Sequence, residues 1–357
     1  MPSLNDLGWN SFFENQLSDA DRARWTPARV VWQGRSHYRI STGLEERLAV
    51  LAGRLRHQTA SHADLPVVGD WILASLQPGE HSATINRRLT RRSHFSRGAA
   101  GRSTEEQAVV ANVDTILIVT SFNRDFNVRR IERYLTLTWE SGANPIVVLN
   151  KADLCDEHET WRAELASVCQ AVPVLVTSAL FGHGMSDLEE QVRIGGTTVL
   201  LGSSGVGKST ILNALIGEVR QEVLPVRSRD DRGRHSTTAR HLHCLPHGGV
   251  LIDTPGLREL EMWNADGGLD HAFHDIGALA AQCRFRDCSH DAEPGCAVTK
   301  AVTRGELSLE RLDSYQRLQR EDAYVRSRQD ERVRAEQTRK AKETARALRL
   351  QDKLRKR

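Results

Sequence analysis

Between residues 28 and 90 apolar and polar positions alternate in short runs: "ARVVWQG", "HYRIST", "RLAVLAGRLR", "GDWILASL" and "SATINRRL". Gly, Pro or polar residues separate them, which is the pattern of short strands joined by turns. Five such strands in so few residues predict a small closed barrel. An oligonucleotide-binding (OB) barrel is the leading form and a generic small β-domain the alternative. The period changes near residue 110. "DTILIVT", "PIVVLN", "VPVLVTSA" and "TTVLLG" are continuous apolar runs, and "VRRIERYLTLTWE", "TWRAELASVCQ", "MSDLEEQVR" and "KSTILNALIG" have helical spacing. Two more strands, "HLHCLP" and "GGVLIDTPG", follow. Buried strands alternating with helices predict an α/β sheet. Beyond about residue 265 the alternation stops, and the segment from Ser308 onward reads as helix throughout. Residues 1–27 read as a helix or a loosely docked arm, and "NRRLTRRSHFSRGAAGR" as a basic connector, RNA-facing or merely solvated.

These boundaries predict an arm (1–27), a barrel (28–100), an α/β domain (101–265), a cysteine-bearing segment (266–325) and a tail (326–357). At 357 residues, 39% hydrophobic and 27% charged, the chain is long enough for two or three globular domains. No apolar run approaches the roughly 18 residues that span a bilayer. The N-terminus lacks a basic start followed by an apolar core, so a cytoplasmic protein without membrane contact is expected. The net charge of +3 hides an asymmetry: Arg326–Arg357 holds 13 Lys/Arg and 5 Asp/Glu, a net +8, leaving −5 for the rest. Such a basic block suggests a nucleic-acid partner, and its few apolar anchors suggest order only on binding.

The chemistry is concentrated in four places. Gly202, Ser203, Ser204, Gly205, Val206, Gly207, Lys208, Ser209 and Thr210 form a phosphate-binding loop between a strand and a helix. Its glycines let backbone N–H groups face phosphate, Lys208 bridges the β- and γ-phosphates, and the Ser209 hydroxyl ligates Mg²⁺. Asn150, Lys151, Ala152 and Asp153 end an earlier strand. A carboxylate at Asp153 accepts from both the N1–H and the exocyclic amine of guanine. Adenine lacks that donor pair, so the base choice is guanine. The Lys151 stem packs on the base, and "TSA" places Ser178 and the Ala179 N–H near the guanine carbonyl. "DTPG" follows a strand 51 residues after Gly202. Asp253 there holds Mg²⁺ through water, and the Gly256 N–H touches the γ-phosphate. In "RGRHSTTAR", Thr237, with Thr238 second, is the expected Mg²⁺ ligand, a plain solvated loop being the alternative. Leu257 stands where many GTPases orient the attacking water with Gln. His235 is one replacement; an exposed histidine without a catalytic part is the other reading. GTP hydrolysis should then be slow.

The base reader precedes the phosphate loop, the reverse of the usual order. The motifs run in the order of a circular permutation, which close termini permit. The switch at DTPG then leads directly into the cysteine segment, and motion at the γ-phosphate is expected to reach it. That segment reads Cys283-x₄-Cys288-x-His290-x₅-Cys296, a complete tetrahedral set for one structural Zn²⁺.

Together NKAD, GSSGVGKST, DTPGL and CRFRDCSHDAEPGCAV resemble the circularly permuted GTPases that depend on the small ribosomal subunit, the RsgA/YjeQ family. The likeness runs from the barrel to about residue 325. It implies a multidomain protein with an N-terminal OB-type β-barrel, a central α/β circularly permuted P-loop GTPase and a C-terminal α-helical zinc-binding domain. It further implies late maturation of the small (30S) subunit, contact with 16S rRNA, and slow hydrolysis of GTP to GDP stimulated by the subunit. In the family the histidine of the Thr-rich loop is a proposed catalytic residue, here His235. Ser236 stands where the family has Thr, which leaves the Mg²⁺ threonine open. A monomer is expected. The rival reading is an RNA-binding assembly scaffold in which GTP is structural and turnover negligible.

Overall fold

The computed structural model describes residues 2–34, 36–58, 62–77, 82–98, 106–123, 126–155, 158–166, 168–169, 171–194, 196–217, 240–254, 267–291 and 293–327. Strands β1 (Thr26–Gln33), β2 (Tyr38–Ser41), β3 (Glu46–Leu51), β4 (Trp71–Leu76) and β5 (Ser82–Arg88) close on themselves in the order β1-β2-β3-β5-β4, with β4 returning to β1. Only the β3–β5 pairing is parallel. This is the strand order of an OB barrel. Small residues (Ala28, Ala49, Ala74, Ala83) alternate inside with Val30, Ile40, Ile72 and Ile85, so the interior fills without forcing the strands apart. The run "RLAVLAGRLR" is not one strand. It ends at Leu51, and helix α3 (Gly53–Gln58) follows, laying Leu55 against the barrel core. An apolar run cannot by itself distinguish these, because Leu48, Val50 and Leu55 fit either period.

The N-terminal arm is firmly docked. It holds two short helices, α1 (Ser11–Glu14) and α2 (Asp19–Arg24), the second opened by a capping box between Ser18 and Asp21. Leu7 and Phe13 are buried, and Trp9 and Phe13 pack on Trp71 of β4. Burial of two such side chains contributes about 1.5–3 kcal/mol each.

The α/β domain continues the same sheet. Strands β8 (Thr115–Ser121), β9 (Asn144–Asn150), β10 (Val174–Val176), β11 (Thr197–Leu201), β12 (Arg240–Cys244) and β13 (Val250–Asp253) are ordered β10-β9-β8-β11-β13-β12. All neighbours are parallel except β12 with β13. β8 is buried at every position, as a strand covered on both faces must be. Helix α4 (Val128–Glu140) covers one face. Helices α6 (Met185–Ile194) and α7 (Lys208–Ile216) cover the other, and α5 (His158–Ala166) links β9 to β10. The basic connector supplies the first strand of a hairpin that sequence pattern alone did not reveal: β6 (His94–Gly98) pairs with β7 (Glu106–Ala111), just beyond it, burying Phe95, Val109 and Val110. One buried aromatic among arginines carries too little periodicity to read.

Barrel and α/β sheet are joined by one strand. The first half of β1 pairs with β4; past an irregularity between Val30 and Trp32, its last residues pair with β12, Trp32 opposite His241 and Gln33 opposite Arg240. Behind this joint the buried Arg29 donates to the carbonyls of Leu7, Gly69 and Asn112 and to Thr197 Oγ1.

Beyond residue 266, helices α8 (Gly268–Ala272), α9 (His274–Ala280) and α10 (Ala297–Thr303) lead to a helix over residues 309–327. This segment docks on α4. A Cβ on Gly268 would sit 2.5 Å from the Thr136 carbonyl, so only glycine allows the approach of α8. Arg311 forks onto Asp275 at 2.6 and 2.7 Å and reaches the buried Glu132 of α4 at 2.8 Å, and Arg133 binds Glu321 through two 2.6 Å contacts. The expected route from DTPG into this segment runs through residues outside those described. The contact that is described runs through α4 instead.

Candidate nucleotide site and metal centre

The five parallel strands present their C-terminal ends on one edge of the sheet, where α/β folds bind ligands. β9 ends at Asn150, β10 at Val176, β11 at Leu201 and β13 at Asp253, so four motifs distant in sequence start from one rim. Asn150 is their junction. Its amide donates from Nδ2 to the Val206 carbonyl of the phosphate loop at 2.9 Å. Its Oδ1 accepts from the Ala179 N–H at 3.1 Å and from Thr177 Oγ1 at 3.2 Å. The Ala179 N–H, expected to face a guanine carbonyl, is thus directed at Asn150. A base oxygen would have to share it.

Lys151 takes a left-handed conformation, φ 63°, and turns the chain into a 3₁₀ turn over Ala152, Asp153 and Leu154. The Ala152 N–H donates to the Thr177 carbonyl, and the Ser178 hydroxyl donates to Asp153 Oδ1. The carboxylate is thereby fixed against "TSA" with capacity left for further donors.

The phosphate loop is shaped by its glycines. Gly205 and Gly207 have φ of 81° and 99°. A Cβ on Gly207 would lie 2.2 Å from Asn150 Nδ2, and one on Gly202 2.2 Å from the Val119 carbonyl of β8. The loop is therefore pressed against Asn150 and the neighbouring strand at once. Gly207 opens α7, whose first residues are Lys208, Ser209 and Thr210. Lys208 Nζ lies across the loop, donating to the carbonyls of Gly202 (2.7 Å) and Ser203. Val206 is buried, while Ser204 and Gly205 are exposed at the rim. Asp253 sits one strand from the loop, since β13 pairs with β11 at Val199–Ile252. Thr237, His235, Gly256, Leu257 and residues 328–357 of the tail lie outside the described residues. Two neighbours escaped the sequence reading. Thr177 was visible in "TSA" but unassigned, and Ser121, at the end of β8 opposite Asn150, is fully buried with no hydrogen-bond partner for its hydroxyl among the described residues.

The second centre lies in the C-terminal segment. One ligand atom each from Cys283, Cys288, His290 and Cys296 lies within 4.8 Å of all the others. The Cys283–Cys296 Sγ separation is 3.8 Å, and His290 Nδ1 is 3.7 and 3.5 Å from those two sulfurs. A tetrahedral Zn²⁺ with usual bond lengths has S–S edges of about 3.8 Å and S–N edges of about 3.6 Å. The set fits zinc, and four ligands leave no position open for chemistry. Backbone N–H groups of Ala297 and Thr299 donate to Cys283 and Cys296 Sγ at 3.4 Å, which favours thiolates.

Comparison with known proteins agrees. Residues 88–263 match the RsgA GTPase family. The small ribosomal subunit biogenesis GTPase RsgA of Opitutus terrae is 42% identical over 337 residues, 92% of either chain. The chain belongs to the RsgA GTPase family. A second relative, small ribosomal subunit biogenesis GTPase RsgA 2 of Lactiplantibacillus plantarum, is 45% identical over 307 residues, 85% of this chain and 86% of its own. Among solved structures, YjeQ from Thermotoga maritima superposes with a TM-score of 0.62 at 29% identity, covering 84% of this chain and 99% of that one. YloQ, a circularly permuted GTPase, shares the fold with a TM-score of 0.60 at 23% identity, over 85% and 96%. The family makes the chain a GTP hydrolase, and the permuted motif order belongs to the fold it shares.

Proposed function

We propose that the protein binds GTP at the rim formed by Asn150, Asp153, Ala179 and the phosphate loop, and hydrolyses it during maturation of the small ribosomal subunit. The supporting observation is Asn150, whose one amide ties the base-reading turn, the "TSA" turn and the phosphate loop together. Asp153 accepts from guanine, Lys208 exchanges loop carbonyls for phosphate oxygens, and Ser209 and Asp253 hold Mg²⁺. That ion screens charge developing on the phosphates. Thr237, Gly256 and His235 complete the γ-phosphate side in this reading. Intrinsic turnover is slow because Leu257 cannot orient water, and the subunit stimulates it. Barrel and basic tail contact 16S rRNA, the zinc is structural, and the protein works as a cytoplasmic monomer. Among the described residues no helix is long and apolar enough to cross a membrane. The relatives' names support the choice of the small subunit as partner.

Phosphate release from GTP, with and without purified small subunits, tests this, with Lys208→Ala as control. Strong stimulation that the control abolishes is expected. Slow release indifferent to subunits would instead favour the scaffold reading.

A further inference from the structure

Beside the joint of β1 with β12, the arm, the barrel and the α/β domain enclose a cavity of about 740 Å³. Leu7 of the arm, Val31 of β1, Leu242 of β12 and Ile216 at the end of α7 line it, and all four are buried. Protein interiors normally bring such side chains into contact with one another. Here they face a shared space instead. Its volume falls within the roughly 300–1,000 Å³ typical of small-molecule sites, and it lies at a seam between domains, where such sites are common. The exposed lining residues, Glu46 at the start of β3 and Cys244 at the end of β12, mark its mouth. Glu45 beside them is bound to Arg47 at 2.7 Å. Glu46 approaches Arg39 only at 3.9 Å, outside hydrogen-bond range, and the Arg39 guanidinium lies over the Trp32 ring. The Glu46 carboxylate thus keeps acceptor capacity at the mouth of an apolar cavity.

The cavity is remote from the phosphate loop. Helix α7 runs from Lys208 at that loop to Ile216 at the cavity, about 12 Å along its axis. Strand β12 meets Asp253 at the rim through His241 and reaches the cavity at Cys244, opposite Val250 at the far end of β13. We propose that this seam binds a small organic cation with an apolar body. The body displaces water from Leu7, Val31, Ile216 and Leu242, and its ammonium group meets Glu46. Apolar contact supplies the affinity, and the carboxylate supplies the choice of charge. Because the walls come from the arm, the barrel and the α/β domain, the ligand braces the three against one another.

The test titrates naphthylmethylamine into the full zinc-loaded chain, with naphthylmethanol and naphthoate as the neutral and anionic counterparts. Equilibrium dialysis should give one site per chain, with the amine held about fivefold more tightly than the alcohol and the carboxylate weakest. Glu46→Gln should erase that preference and leave the affinity for the alcohol as it was. Cys244→Trp, which fills the mouth, should abolish binding of both, while zinc content and basal GTP hydrolysis match the wild type. Saturating amine should slow alkylation of Cys244 by iodoacetamide several-fold, read by peptide mass spectrometry. Equal affinity for amine and alcohol, or a preference that survives Glu46→Gln, overturns the proposal. So does amine binding that persists in Cys244→Trp, which would place the probe elsewhere. A Cys244 thiol that resists iodoacetamide equally with and without the amine also overturns it, because the chain itself would then fill the cavity.

Discussion

In the proposed reading Asn150 and Asp153 have different parts, one building the site and one meeting the base, and the difference follows from their bonds. Asn150 spends both ends of its amide inside the protein, on Val206, Ala179 and Thr177, so it builds the site. Asp153 gives one oxygen to Ser178 and keeps acceptor capacity for a ligand. Two hydrogen bonds to a charged acceptor are worth about 3–5 kcal/mol, or roughly 150-fold to 4,000-fold in affinity. Asp153→Asn should therefore weaken GTP binding by about that factor. It should improve binding of the xanthine nucleotide, whose 2-carbonyl accepts from an amide. Displacement of a fluorescent guanine nucleotide by each competitor measures this; an unchanged preference for guanine would remove Asp153 from the role. The residue types and their spacing were readable from the chain. That the Ala179 N–H is directed at Asn150 was not, because the sequence does not say how closely two turns approach.

Among the elements, α4 is legible almost to the residue: "VRRIERYLTLTWE" is the helix observed, capped by Asn127. The zinc loop is legible as a ligand set, because cysteine and histidine spacing is set by coordination rather than by packing. What the elements do next depends on metal. Cys296 caps α10, and Gln316 of the 309–327 helix donates to the His290 carbonyl. A bound zinc would tie these short helices together beside the buried Phe273, Ile276, Val298, Leu312 and Leu318. Removal by a strong chelator should release one zinc per chain and lower the melting temperature of a C-terminal transition. Nucleotide affinity should change little, since no zinc ligand lies at the sheet rim. A Cys288→Ser variant should hold less zinc and behave likewise. Loss of nucleotide binding on chelation would show that the two centres are coupled.

Across the whole molecule the sheet is continuous, and Arg29 is where the arm, the barrel and the α/β domain meet. Burial pushes its guanidinium down to about 9, yet it stays charged at neutral pH, satisfied by three carbonyls and a hydroxyl and resting on the Trp71 ring. Arg29→Met keeps the volume but leaves those carbonyls without a donor, a loss of about 3–5 kcal/mol. Urea unfolding should shift to lower midpoint and separate into two transitions as the barrel uncouples. A single transition at the wild-type midpoint would mean the joint is held by β1 and β12 alone. The docking of the C-terminal segment on α4, through Arg311 and Glu132, likewise belongs to this scale. Nothing in the order of motifs pointed to it.

By itself the sequence determined the motifs: GSSGVGKST between strand and helix, NKAD at a strand end and a Cys3His set that fits zinc, and from their order a permuted sheet. Each is encoded by residue types at fixed short spacing, where backbone geometry alone decides which atoms face inward. Only the tertiary structure decided that β1 divides its edge between β4 and β12, that the basic connector opens a hairpin, and that Gly207 must stay bare because Asn150 fills the space beside it. Those outcomes depend on contacts between residues tens to hundreds of positions apart. Their energies come from shape and burial, which no local pattern records.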